Sequence, residues 1–254
     1  MSEDQLAIIS DIHGNLDALE VVLEDIKSKG ITRICCLGDI IGYGPNPCEC
    51  LDLVMNHCEF SLMGNHDFAA LYEPTSFNAS AESAAYWTRS QLENEADLDA
   101  AKKRWEFLGQ LSVREKREAG LWVHASPRRP INEYIFPDDV MSSPHKMTMI
   151  FDCFDSRCFV GHTHVPGVFT DEPDFFTPPE IGGVYRFNTD EKCIINPGSV
   201  GQPRDRDPRS SYAVLHPDRV EFFRIAYDIQ KVIDKIATHP ELHEFLGQRL
   251  LEGR

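Results

Sequence analysis

The sequence predicts an α/β fold built on a mainly parallel sheet, on three grounds. Short apolar runs alternate with stretches whose apolar residues recur at helical spacing. The first of them follow one another as strand, helix, strand, helix, strand. Most of the runs end in a polar turn with glycine beside it, where an open α/β sheet places its ligands.

Leu6-Ala-Ile-Ile-Ser10 is the first strand and ends in the turn Asp11-Ile-His-Gly-Asn15. Leu16, Leu19, Val22, Leu23 and Ile26 follow at helical spacing, and Gly30 closes that helix. Ile34-Cys-Cys-Leu37 is the second strand, with Gly38-Asp39 as its turn, and the next helix begins near Pro47. Phe60-Ser-Leu-Met63 is a third strand leading to Gly64-Asn65-His66-Asp67. From Phe68 to about Glu118 the composition turns to Ala, Glu and Lys, which predicts a helical insertion over the core (about 68–118), with Trp87, Trp105, Phe107 and Leu108 available for packing. Strand runs return at Leu121–His124, Cys158–Gly161, Cys193–Asn196, Tyr212–Leu215 and Val220–Ile225. A Pro/Gly/Phe-rich excursion with one hairpin is expected at about 165–190, and an amphipathic helical pair broken near Pro240 at the end. With no repeat, low-complexity segment or linker, residues 1–254 are expected to form a single domain.

The chain of 254 residues is 42% hydrophobic and 26% charged, an ordinary globular balance. No apolar run approaches the ~20 residues of a membrane span. The acidic start Met1-Ser2-Glu3-Asp4 does not resemble a secretory signal, so a cytoplasmic location is expected. A formal net charge of −16 disfavours nucleic-acid polymers and anionic membranes as partners. It leaves small anionic substrates open, because clustered cations reverse the field inside one pocket. The eight cysteines lack zinc-knuckle spacing and are expected to be reduced thiols serving as small hydrophobes. Alternation would send Cys35 and Cys36 to opposite faces of one strand.

The chemistry gathers after the strands: Asp11-x-His13, Gly38-Asp39, Gly64-Asn65-His66-Asp67, Val123-His124 and Gly161-His162-Thr-His164. Each fragment alone has a bland explanation as a turn or a satisfied polar residue. Together they bring carboxylate, carboxamide and imidazole groups to one sheet edge. Such a donor set without thiolate suits Mn²⁺, Fe²⁺, Zn²⁺ or Ni²⁺, and has too many members for one tetrahedral ion. Two ions ~3.5–4 Å apart sharing a carboxylate would use them all.

In order, D-x-H-G-N, G-D-x-x-G-Y-G-P, G-N-H-D, V-H-A-S and G-H-T-H resemble the calcineurin-like metallophosphoesterase superfamily. The resemblance runs from Asp11 to His164 and on through Asn196-Pro-Gly-Ser-Val-Gly-Gln-Pro-Arg204. That segment and Gly42-Tyr-Gly-Pro45 are similar to the small prokaryotic-type phosphodiesterase branch. The resemblance implies a four-layer α/β/β/α sandwich and a phosphoesterase, most simply a phosphodiesterase acting on a small phosphate ester or nucleotide. Asp11, His13 and His164 would hold one divalent ion, Asn65, His124 and His162 the other, and Asp39 would bridge them, with Mn²⁺ favoured for activity. Hydroxide held between the ions would attack in line. His66 would donate to the leaving oxygen, Asp67 would orient His66, Arg204 would contact substrate, and Asn15 would steady the first turn and touch the substrate site.

Other readings are a dinucleoside polyphosphate hydrolase, a protein phosphatase or a non-catalytic scaffold. The second motif lacks the Asp-Arg-Gly ending of the serine/threonine phosphatases, and scaffolds lose the histidine that stands here as His66. His57, His145, His216, His239 and His243 have no ligand context. Trp87, Phe77 and Tyr86 could stack on a nucleobase, although such residues more often pack.

Overall fold

The computed structural model describes residues 5–254, so the expectation drawn from Met1–Asp4 lies outside the described residues. Two six-stranded sheets face each other. The first is formed by β1 (Leu6–Ile9), β2 (Arg33–Cys36), β3 (Phe60–Ser61), β9 (Val184–Arg186), β11 (Ser210–Leu215) and β12 (Arg219–Ile225), in the order β3-β2-β1-β11-β12-β9. The second holds β4 (Arg114–Arg117), β5 (Gly120–Val123), β6 (Arg157–Phe159), β7 (Gly167–Thr170), β8 (Asp174–Phe176) and β10 (Cys193–Asn196), in the order β4-β5-β6-β10-β7-β8.

Period-two alternation sorts the apolar side chains of the strands into layers. Ala7, Ile9, Ile34 and Cys36 face α1 (Leu16–Ser28) and α2 (Pro47–His57) in one core. Leu6, Ile8 and Cys35 face Trp122, Phe159 and Ile195 across the space between the sheets. Leu121, Val123, Cys158 and Ile194 turn to the far side and pack on Met147, Ile150 and Phe151. The last three belong to α7 (Pro144–Phe151), which follows the short α6 (Asp139–Ser142). Three cores between successive layers make the α/β/β/α sandwich that the motifs implied. Cys35 and Cys36 do point to opposite faces, and all eight cysteines are free.

The sheets differ from the mainly parallel expectation. Only β1–β2, β2–β3, β5–β6 and β6–β10 pair in parallel, and the other pairs are antiparallel. The parallel pairs are the ones whose ends carry the motifs. The helical stretch contains α3 (Asn65–Leu71), α4 (Ala79–Glu93) and α5 (Leu98–Gln110), but it ends in β4 rather than in helix. Arg-Glu-Lys-Arg has no apolar alternation because β4 is an edge strand, where charge discourages pairing with other chains. The excursion at 165–190 holds the β7–β8 hairpin and then β9, which crosses to pair with β12 in the first sheet.

The C-terminal α8 (Ile229–Ala237) and α9 (Phe245–Gln248), with a closing 3₁₀ turn Arg249–Glu252, return to α4. Val232, Ile236, Leu242, Leu246 and Leu250 pack with Ala84 and Trp87, and Tyr43 lies against this cluster. Trp87 is thus a packing residue, its ring 4.8 Å from that of His239.

One buried cation ties the helices together. Arg104 of α5 is nearly enclosed and grips Asp52 of α2 with two hydrogen bonds of 2.9 and 2.6 Å, and Glu95 with a third of 2.6 Å. Arg104→Met keeps the stem but strands Asp52, which is partly exposed and so partly rehydrated. The expected loss is about 1–2 kcal/mol, read as a Tm lowered by roughly 3–6 °C in a thermal melt. An unchanged Tm would mean the pair is fully screened.

Candidate metal centre

The turns after the motif-bearing strands converge at one end of the sandwich. Asp11 and His13 follow β1, Asp39 follows β2, Asn65 and His66 follow β3, His124 follows β5, and His162 and His164 follow β6. Asp11, His13, Asp39, His162 and His164 all have left-handed backbone, with φ between 51° and 65°. Asp and His enter this region more readily than most residues, yet each such residue costs on the order of 1–3 kcal/mol. Five of them at one end of the sandwich mark a site whose geometry is held by its surroundings.

Asp11, His13, Asp39 and His164 bring ligand atoms within 4.8 Å of one another, and Asp39, His124 and His162 do the same. Asp39 belongs to both groups: its Oδ2 lies 3.6 Å from His13 Nε2 and 3.4 Å from His124 Nε2. Asn65 Oδ1 completes the second group, 3.2 Å from His124 Nε2. All seven side chains expected to hold metal therefore meet.

Hydrogen bonds on the outer side of the rings set their tautomers. His164 Nδ1 lies 2.5 Å from the Gln202 carbonyl and His124 Nδ1 2.9 Å from the Leu37 carbonyl. A carbonyl only accepts, so each Nδ1 carries a proton, and the neutral His164 ring turns its Nε2 lone pair inward. His164 Nε2 then faces Asp11 Oδ1 at 3.2 Å and His13 Nε2 at 3.1 Å. The His164 lone pair and the Asp11 carboxylate are both acceptors and repel at 3.2 Å unless a cation lies between them. His162 Nε2 and His13 Nδ1 are moreover buried without a hydrogen-bond partner. The donor set, the tautomers and these orphaned nitrogens fit divalent ions of the kind that take imidazole and carboxylate together.

The field agrees. Burial opposes ionisation of Asp11 and Asp39, but the charge and hydrogen bonding of neighbouring histidines overrule it and hold both carboxyls below their usual range. Burial holds His13 and His164 neutral and pushes His162 down to about 3. His124 alone is raised, to about 9: burial opposes its charge, and the charge and hydrogen bond of Asp39 prevail. A proton there occupies the place a metal cation would take.

The segment after β10 braces the loops. Asn196 Nδ2 donates to the Gly161 carbonyl at 2.8 Å and to Thr163 Oγ1 at 2.9 Å, Ser199 Oγ donates to the Asp11 carbonyl at 2.7 Å, and Gln202 supplies the carbonyl that holds His164. None of these three had a role assigned from sequence, although all stand in the Asn196–Arg204 motif.

Asp67 and Asn15 both have supporting roles. Asp67 does not touch His66: its Oδ1 accepts from the N–H groups of Ile40 and Ile41 at 3.0 and 3.3 Å, and its Oδ2 from Gly64 N–H at 3.0 Å. It clamps the second turn to the third, with burial and the charge of Asp39 pushing its pKa up to about 7 against those three donors. Asn15 caps α1 by accepting from Ala18 N–H, and its amide donates to the Gly201 carbonyl at 2.9 Å and to Tyr227 at 3.3 Å. With oxygen and nitrogen both engaged, it supports the first turn, as expected.

His66 instead stands among rings, with centroids 4.3 Å from Tyr43, 4.6 Å from Phe77 and 4.8 Å from His13. Its Nδ1 is buried without a partner, and burial pushes its pKa down to about 4. Tyr134 stacks on His162 at 3.8 Å. Sequence reasoning missed Tyr43 and Tyr134, which lie in irregular loops with no period to expose them. Arg204 N–H donates to the His164 carbonyl at 3.2 Å, its guanidinium bonds to Gln202 Oε1 at 2.9 Å, and its Nε is buried without a partner. Asp207 pairs with Arg209 and Asp205 with Arg224, leaving Arg204 without an acidic partner among the described residues. Beside the second group lies a cleft of about 420 Å³, lined by Asn65, Phe77, Arg129, Asn132, Tyr134 and His162.

Known proteins share this plan. The sequence profile described as calcineurin-like phosphoesterase matches residues 5–166. An uncharacterized protein of Methanocaldococcus jannaschii is 39% identical over 263 residues, covering all of both chains. The crystal structure of a metallophosphoesterase from Sphaerobacter thermophilus is 37% identical, with a TM-score of 0.82 over 98% of this chain and 99% of that one. A hypothetical protein from Pyrococcus horikoshii OT3, 19% identical with a TM-score of 0.73 over 98% of each chain, shares the fold. The profile spans more than half of the chain and the archaeal relative all of it: the chain belongs to the calcineurin-like phosphoesterase family and is a metal-dependent phosphoric ester hydrolase.

Proposed function

We propose that the protein is a dinuclear phosphodiesterase for a small phosphate ester or nucleotide, with Mn²⁺ as the activating ion. The observation that carries this is the position of Asp39, whose one carboxylate belongs to both ligand groups. Asp11, His13 and His164 would hold one ion, Asn65, His124 and His162 the second, and Asp39 both. When bound, such a pair acidifies a water and offsets charge on the phosphoryl oxygens.

The chain's own residues do the rest. Arg204, whose guanidinium is held by Gln202 and has an unpaired Nε–H, is a planar cation suited to a phosphoryl oxygen. The neutral His66 ring, fixed by Tyr43 and Phe77, directs an N–H toward the leaving oxygen and stabilises the charge that develops there. The cleft walled by Phe77 and Tyr134 is of a size to take the organic part of the ester and exclude water around it. The net charge of −16 favours a small substrate over a nucleic-acid polymer.

The test is hydrolysis of a chromogenic phosphodiester and monoester by chelator-treated protein with Mn²⁺ restored. Activity is expected to return with metal and to favour the diester. His66→Ala is expected to lower kcat by roughly 10²–10³ while the metal content stays at the wild-type level. A monoester preference would remove the phosphodiesterase assignment, and an unimpaired His66→Ala would remove His66 from the reaction.

A further inference from the structure

A second cleft, of about 400 Å³, opens at the opposite end of the sandwich from the metal centre. Its residues come from where the parallel strands begin: Leu6 opens β1, Arg33 opens β2, and Arg157 opens β6. The metal-binding turns lie where the same strands end, so the space between the sheets separates the two sites.

The cleft concentrates positive charge on an acidic protein. Arg33, Arg117 and Arg157 line it, against Glu59 and Glu118. Glu59 is taken up by Arg33, with hydrogen bonds of 3.0 Å. Arg117 lies over the Phe60 ring at 3.8 Å, and its nearest carboxylate, Glu115, is 4.0 Å away. Arg157 lies over Phe187 at 4.6 Å, with no acidic partner among the described residues, and its Nε is buried without a hydrogen bond. Guanidiniums resting on aromatic faces keep their in-plane N–H edges free, and those edges match an oxyanion.

A fully buried donor adds a second, independent indication. Trp122 is 0% exposed, lines this cleft, and its indole Nε1–H has no partner among the described residues. A buried N–H of this kind rarely goes unpaired, since leaving it so costs about 1–3 kcal/mol. Phe159 stacks on the indole at 3.8 Å and fixes it there. His216 Nε2 is also buried without a hydrogen bond, although it lies 3.5 Å from the Glu221 carboxylate. Leu6, Leu215 and Pro217 add an apolar wall. The volume falls in the ~300–1,000 Å³ range of small-molecule sites.

We propose that this cleft is a second, non-catalytic ligand site that binds a small organic anion. A carboxylate or phosphate-type group would be received between Arg117 and Arg157, and an apolar body would lie along the wall of Leu6, Leu215 and Pro217, beside Trp122. No bond is made or broken there, and the site holds none of the metal-binding groups.

The probes are benzoate and phenylphosphonate, titrated separately into zinc-loaded, ¹⁵N-labelled protein while the three tryptophan indole N–H resonances are followed. Trp122→Phe assigns its resonance. The Trp122 resonance is expected to move saturably with at least one probe, at a Kd of about 1 mM or tighter. Arg157→Met and the exposed Arg117→Met are each expected to weaken binding by about tenfold. If only phenylphosphonate binds, the site is one for phosphate-type anions; if only benzoate, one for carboxylates. A Trp122 resonance unmoved by both probes overturns the proposal. So does a shift that both arginine variants leave unchanged.

Discussion

Asp39→Asn is expected to lower kcat/KM by at least about 10³, and bound metal to fall from two ions per chain to one or none. The substitution is chosen to keep shape. Asp39 Oδ1 accepts from His66 N–H at 2.7 Å, and an asparagine oxygen can do the same. What goes is the negative charge on Oδ2, 3.6 Å from His13 Nε2 and 3.4 Å from His124 Nε2. A neutral carboxamide presents one acceptor and one donor, and cannot serve two cations at once. Circular dichroism is expected to remain native, because the left-handed backbone at Asp39 suits asparagine as well as aspartate. Elemental analysis of dialysed protein would settle the point. Two ions retained at wild-type activity would mean that Asp39 is not the shared ligand, and the dinuclear proposal would lose its central observation.

The strand-end groups were legible in the sequence because each stands directly after an apolar run, and the resemblance joined them into one ligand set although they end strands of two different sheets. The second sheet was not. β4 is four charged residues, and β8 and β9 are three residues each, too short for a period to declare itself. The support roles were hidden for another reason. The resemblance implies that Asp67 orients His66, yet the two are adjacent on a helix, where side chains diverge. Its carboxylate instead meets backbone N–H groups of Ile40 and Ile41, 27 and 26 positions away. Asn15 similarly bonds across 186 residues to Gly201, a pairing that local pattern cannot contain. Tyr43, Phe77 and Tyr134 are placed by loops and acquire meaning only once the rings of His66 and His162 are located.

Gly64→Ala is the other substitution expected to have a large effect, and it replaces no ligand. Gly64 has φ of −85°, so alanine could adopt its backbone freely; the constraint is space. A Cβ there would lie 2.0 Å from Asp39 Oδ1 and 2.3 Å from the Asp39 backbone nitrogen. A flexible side-chain tip can swing away from such a contact, but a backbone nitrogen cannot. Either the second turn or the start of α3 must move. The second turn is pinned by Asp67 through Ile40 and Ile41, and Gly64 N–H is itself bonded to Asp67 Oδ2. Displacing one therefore breaks the clamp on both, with buried N–H groups left unpaired. The expected cost is about 3–5 kcal/mol, seen as a Tm lowered by roughly 6–20 °C. Protein that still folds is expected to bind metal weakly, since Asp39 is carried out of register with His13 and His124. A stable Gly64→Ala with full metal content would show that the two turns can separate without disturbing Asp39, and that the close approach is not what positions the shared carboxylate.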